Sequence, residues 1–383
     1  MRFSRSLALF LCVISGYASV ASAGGGVHEP TVLYPGHLFN SVASYLASTV
    51  SVSGSSSRDD DRAQSSLGLV SDDLGWSRHR LGFSYRDTVS RRENLESSSL
   101  SFNYGLSLSK FDIGMEMENS DYAGVTEGNG NRFDAQSKRD VFRVKGSRPV
   151  AAWNGFAVRS LFSHATGSSS VADETGWEED AQYQISKFGL EIREDHQLVA
   201  GLSSSTSVKA ITGVNRRQTV NNHGESATSD QFSKVLVSAS VSRAIDRWVL
   251  GVGGRYQFAP TELPSSEKFK VVGSSLASGF NGQARYATEG GWFRLQADSP
   301  TYRMPVLSGV KSSLQFSVLR GWTPGSEALN EPEGSASVGE VALQLDSRDF
   351  LASVSVGKML SESDPQMRFA RRPDVSLSIY FDL

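Results

Sequence analysis

Residues 375–383 alternate without interruption: Val375, Leu377, Ile379, Phe381 and Leu383 project to one side of an extended chain, and Ser376, Ser378, Tyr380 and Asp382 to the other. One face is oily and the other wet. The same two-faced segment recurs along the chain at 49–53, 65–69, 80–85, 100–106, 111–117, 141–145, 156–161, 183–192, 205–212, 235–241, 249–258, 283–297, 314–318, 338–345 and 352–356. In several of these the alternation is complete, as where Leu100, Phe102, Tyr104 and Leu106 interleave with Ser101, Asn103, Gly105 and Ser107. The polar face carries mainly Gly, Ser and Thr, so it suits a water-filled lumen better than the core of a sandwich. The pattern predicts an all-β fold, a transmembrane antiparallel β-barrel of about sixteen strands whose outer face meets lipid.

Connection lengths support a barrel independently. Short links at 74–76, 109–110, 195–197, 245–247 and 347–349 alternate with long polar stretches at 58–61, 119–138, 167–180, 215–230, 262–278, 323–335 and 361–374. Short turns would face the periplasm and long loops the exterior. Trp76, Trp153, Trp248, Trp292 and Trp322 fall near strand ends, where an interfacial girdle would place them. The closing strand is also the expected signal to the barrel assembly machinery, resting on Tyr380, Phe381 and Leu383.

The N-terminus sets the compartment. Arg2 and Arg5 precede an apolar run from Leu7 to Val13, and Ala21-Ser22-Ala23 follows, so residues 1–23 read as a signal peptide. Residues 24–46 read as a short periplasmic leader or plug segment, in which Leu38, Val42, Tyr45 and Leu46 would share a helical face. Residues 47–383 are assigned to the outer-membrane barrel. The single cysteine, Cys12, lies inside the signal, so thiol chemistry is not expected of the remainder.

Charge and candidate chemistry narrow the function. A net charge of −3 offers no basic field for nucleic acid. Mean hydropathy of −0.27 argues against helical spans but not against a barrel, in which alternation hides the lipid-facing residues. The six histidines show no zinc spacing, no G-x-S-x-G motif is present, and neither an enzyme nor a cofactor is expected. The run Asp59-Asp60-Asp61 reads as a solvated loop. Glu116, Glu118, Arg143, Lys145, Glu191, Arg193, Arg294 and Gln296 share the lumen-facing parity, and their mixed signs suit a hydrated interior.

The stretch 263–298 carries family information. Leu263-Pro264-Ser265-Ser266-Glu267-Lys268-Phe269 leads to Gly273 and then to Ala277-Ser278-Gly279-Phe280. This resembles the lumen loop of the two-partner secretion transporters, the haemolysin secretion and activation proteins of the Omp85 superfamily. The resemblance implies export of a secreted exoprotein partner across the bacterial outer membrane, with Gly273, Ser278, Gly279 and Phe280 at the tip of the loop. Two departures stand out. The family's tip arginine falls on Ser278, and no acid occurs in Phe316-Ser317-Val318-Leu319-Arg320-Gly321-Trp322 to meet it. The expected consequence is a loop held by packing and neutral hydrogen bonds alone, and therefore mobile. The family's two periplasmic modules ahead of the barrel also have no room in the residues between signal and first strand. A passive diffusion channel or structural outer-membrane protein, without the secretion role, therefore stays open as the alternative.

Overall fold

The computed structural model describes residues 50–58, 62–72, 78–90, 95–128, 131–173, 177–198, 201–304, 309–326, 331–364, 367–369 and 372–382. The expected signal peptide, the 24–46 segment, the Asp59-Asp60-Asp61 run, Trp76 and Leu383 lie outside them. The chain begins with β1 (Val50–Arg58), β2 (Arg62–Asp72), β3 (His79–Ser90), β4 (Leu95–Leu108), β5 (Phe111–Gly128) and β6 (Asn131–Trp153). It continues with β7 (Phe156–Asp173), β8 (Glu178–Leu198), β9 (Leu202–Asn221), β10 (Gly224–Ile245) and β11 (Trp248–Phe258). Next come a small hairpin, β12 (Phe269–Gly273) and β13 (Ala284–Ala287), then β14 (Gly290–Asp298) and the two-residue β15 (Tyr302–Arg303). The chain ends with β16 (Lys311–Thr323), β17 (Gly334–Asp346), β18 (Phe350–Glu362) and β19 (Asp374–Asp382).

Each wall strand pairs antiparallel with the next, and β1 pairs with β19 from Ser51↔Asp382 to Arg58↔Val375, so sixteen strands close on themselves. Closure follows from the alternation: with one face oily and one wet, an open sheet would leave unpaired edges in lipid, and a closed one leaves none. Apolar residues of one parity are exposed on the outside, among them Leu67, Met115, Met117, Phe188, Leu190, Val354 and Val356. Inward residues around the closing seam are small and hydroxylated, and they bond to each other, as Ser55 does to Ser66 and Ser84 to Ser101, both at 2.7 Å. No helix among the described residues is long and apolar enough to cross a membrane. Tight turns join the strands at one end. Between β6 and β7 the turn residues Asn154 and Gly155 both take positive φ, at 47° and 88°, the twist that a two-residue hairpin requires.

The expectation of long loops at 119–138, 167–180 and 215–230 is corrected. There β5 to β10 run on as strands of 18 to 23 residues, about twice what a bilayer needs. Where strands leave the membrane, water meets both faces and the alternation that marks a membrane strand disappears, while main-chain pairing continues. The 283–297 segment is corrected as well, since it divides into β13, inside the barrel, and β14, in the wall. Among the lumen charges expected from the sequence, Arg143 and Lys145 reach Glu116 along the wall at 3.1 and 3.2 Å, and Glu191 is reached by Lys209 at 3.0 Å.

Candidate functional site

At Phe258 the wall chain turns inward instead of forming an external loop, and it rejoins the wall at Gly290. The wall residues its apolar side chains pack on, Ile185, Phe232, Leu319, Ala336, Val338 and Met359, are all of lumen-facing parity, so the body of the segment lies inside the barrel. Ala259 and Leu263 are buried against Ile185 and Phe232. A 3-10 turn at Ser265–Glu267 then delivers Glu267 to two lysines of the wall. Its Oε1 accepts from Lys187 on β8 at 2.7 Å and its Oε2 lies 3.1 Å from Lys234 on β10. Lys234 also donates to the Glu267 carbonyl oxygen at 2.7 Å. Glu267 and Lys234 are both largely withdrawn from water, a setting in which loss of one partner leaves a buried charge and costs about 3–5 kcal/mol.

The descending strand β12 and the returning strand β13 form the body of the loop, with a bulge between Lys270 and Val272. Phe269, Val271, Val272, Ala277, Phe280 and Ala287 of the loop pack on Leu319, Ala336, Val338 and Met359 of β16 to β18, the main apolar core of the molecule. Phe280 has no exposed surface. Two wall glycines give this contact its closeness. A Cβ at Gly321 would stand 2.3 Å from the carbonyl oxygen of Val271, and one at Gly357 would stand 1.8 Å from that of Ser278.

At the tip, the Ser278 hydroxyl lies 2.7 Å from that of Ser355 on β18 and 2.9 Å from that of Ser376 on β19. The Ser278 backbone N–H donates to Glu340 Oε1 at 3.2 Å, and the Gly279 N–H to Asp374 Oδ2 at 3.3 Å. Gly279 holds φ at 109°, a conformation that side chains disfavour, and a Cβ there would strike Lys358 N at 2.5 Å. The expectation that no acid meets the tip is therefore corrected. The residue sought on 316–322 is displaced by one strand: Ser317 of β16 is the register partner of Glu340 on β17, and the two side chains bond at 3.4 Å.

The return limb is charged too. Arg285 on β13, 5% exposed, forms an ion pair with Asp364 and donates to the Pro332 carbonyl at 2.6 Å. Thr288 N–H lies 3.0 Å from both carboxylate oxygens of Glu331, which Lys268 approaches at 3.2 Å. A loop held by neutral contacts alone is thus overturned: Glu267, Lys268 and Arg285 tie it to the wall or to the segments above it. These ties were missed because their wall and outer-segment partners lie from 33 to 80 residues away in sequence. Trp292 is corrected likewise. It packs against the loop core from inside, so it belongs to no girdle, whereas Trp153 and Trp248 are exposed beside short turns. In the final strand, Phe381 is exposed outside and lies 6.3 Å from the ring of Phe350, and Tyr380 is of the opposite parity.

Residues 38–316 match the family model described as haemolysin secretion/activation protein ShlB/FhaC/HecB, a span that includes the whole inward loop. Among solved structures the chain is similar to CdiB from Escherichia coli at 15% identity and a TM-score of 0.67, with 87% of this chain and 63% of that chain covered. It is also similar to CdiB from Acinetobacter baumannii at 13% identity and a TM-score of 0.63, covering 87% of this chain and 59% of that one. The chain thus spans about three-fifths of the length of these solved relatives. No curated protein matches the sequence.

Proposed function

Because the chain belongs to the haemolysin secretion/activation family of outer-membrane barrels, we propose that it exports a partner polypeptide across the bacterial outer membrane, with the inward loop 259–289 as the gate of the lumen. One observation carries the reading. The loop lies inside the barrel against β16 to β18 yet is not built into the sheet, so its β12–β13 hairpin is a unit that can leave the wall without opening any wall hydrogen bond. Its contacts are of a kind that an entering chain can replace: hydroxyl pairs at Ser278, and ion pairs at Glu267 and Arg285 that water and new partners can satisfy. Hydroxyl groups line the seam beside the tip, and such a surface lets an unfolded chain slide without a strong site to hold it. Lipid on the outer face and the barrel assembly machinery, acting on the final strand, complete the proposed partners.

The test is co-expression with each large secreted-type protein encoded beside this gene. Export should deposit the partner in the medium only when the barrel is present. A barrel that conducts ions steadily in planar bilayers and exports none of these partners would be a passive channel, and the reading would fall.

A further inference from the structure

Among the described residues one strand edge is long, open and outside the membrane. β10 pairs with β9 without a register shift from Gly224↔Asn221 to Arg243↔Leu202, but β11 covers it only from Val235 to Ile245. Residues 224–234 therefore have a sheet neighbour on one side alone. In an antiparallel strand alternate residues turn both N–H and C=O to the same side, so about half of these residues offer both groups to the open side. Edges left in water are ordinarily blunted by proline, a bulge or inward charge. This one has neither proline nor bulge; its lysine, Lys234, is turned away to Glu267, and Asp230 is its one acid of inward parity. Every residue from Gly224 to Gln231 is exposed, on both faces of the strand.

The position of the edge matters as much as its openness. Phe232 packs against Leu263, and Lys234 holds Glu267, so the edge begins where the inward loop leaves the wall. A chain emerging past that loop meets Ser226 to Ser229 next. We propose that the open edge of β10 receives an extended segment of the exported partner as an added strand, so that the first sheet hydrogen bonds of the emerging chain form on the transporter itself. This rests on the export reading. The chemistry of the edge defines the segment. The small side chains of Ser226, Ala227, Thr228 and Ser229 give no apolar pocket, so main-chain bonding supplies the contact and a segment polar on both faces fits it. Glu225 and Asp230 are offset by Arg217 and Arg216 of β9, the register partners of Thr228 and Ser229, so a strand without strong net charge fits the edge.

The described chain has no cysteine, which makes the test direct. The full chain carrying Cys12→Ser, in lipid nanodiscs with copper–phenanthroline as the mild oxidant that accepts the two electrons of disulfide formation, is offered a short peptide of alternating threonine and asparagine with one central cysteine. Coupling to Thr228→Cys should run about tenfold faster than to Ser170→Cys, because strand pairing raises the local concentration of the thiol. Ser170 is an exposed position on β7 with sheet partners on both sides. The peptide should also slow amide exchange over 224–234 and leave 202–221 unchanged. Equal coupling at the two sites, or unchanged exchange, overturns the proposal. So does a barrel dimer linked through Thr228→Cys that forms faster than the peptide adduct, since the occupant would then be a second copy. Export is measured apart, as partner in the medium. Strand capture without export removes the emerging chain as the occupant, whereas export without capture refutes the edge itself.

Discussion

Gly357 decides how deeply the loop tip can sit. Its missing side chain is the space into which the Ser278 carbonyl fits, and no rotamer adjustment can relieve an alanine there because the obstacle is backbone. Gly357→Ala should therefore unseat the tip, an overpacking cost of about 1–3 kcal/mol. The outward face of β18 is untouched by the change. Single-channel recording should show more frequent openings than in the parent, while heat-modifiable migration on gels stays the same; identical gating would mean that the tip does not rest on Gly357. At this scale the sequence was half legible. Gly279 and Phe280 stood out because a glycine beside an aromatic in a long loop marks a tight fold-back, and the structure places both against the wall. Glu340 and Asp374 did not, because which acid faces a loop tip depends on strand register, and register is invisible until neighbouring strands are aligned. Trp292 misled for a related reason, since a tryptophan at a strand end meets the interface only if its parity points outward.

Sixteen wall strands were legible as elements because lipid on one side and water on the other impose a period of two on every membrane strand. The extensions of β5 to β10 were not, because polarity on both faces leaves pairing without pattern. The loop behaves as an element with its own core, and removing part of it tests that directly. Deleting 271–278 takes away Val271, Val272 and the tip hydroxyl and leaves the Glu267 clamp and the wall intact. Single-channel conductance should rise several-fold relative to the parent, and an unchanged conductance would place the loop off the ion path. The final strand gives the second test. Phe381 is exposed on the lipid face opposite Phe350, close to the short turn between β17 and β18, so it lies near the membrane boundary. Phe381→Asp should cost on the order of 1 kcal/mol there, toward the low end of what a buried charge costs in a barrel wall. A modest fall in outer-membrane level is expected; a normal level would remove Phe381 from the assembly signal.

For the whole molecule the question is whether transport needs the barrel to open. The seam between β1 and β19 is the natural place for a barrel to part, since the two chain-terminal wall strands meet there and β1 has serine at nearly every inward position. Against that stands the loop, which can leave the lumen while every wall pairing stays in place. Ser55 and Ser378 are register partners across the seam, with side chains on the same face, close enough for a disulfide if both become cysteine. In the Ser55→Cys/Ser378→Cys variant the bond should form in the assembled barrel, with no other cysteine among the described residues to compete. With the seam locked, conductance and export should match the parent, because the route runs through the lumen and the moving part is the loop. If export stops under oxidising conditions and returns on reduction, the seam must open during transport, and the loop would then be a brace for the wall.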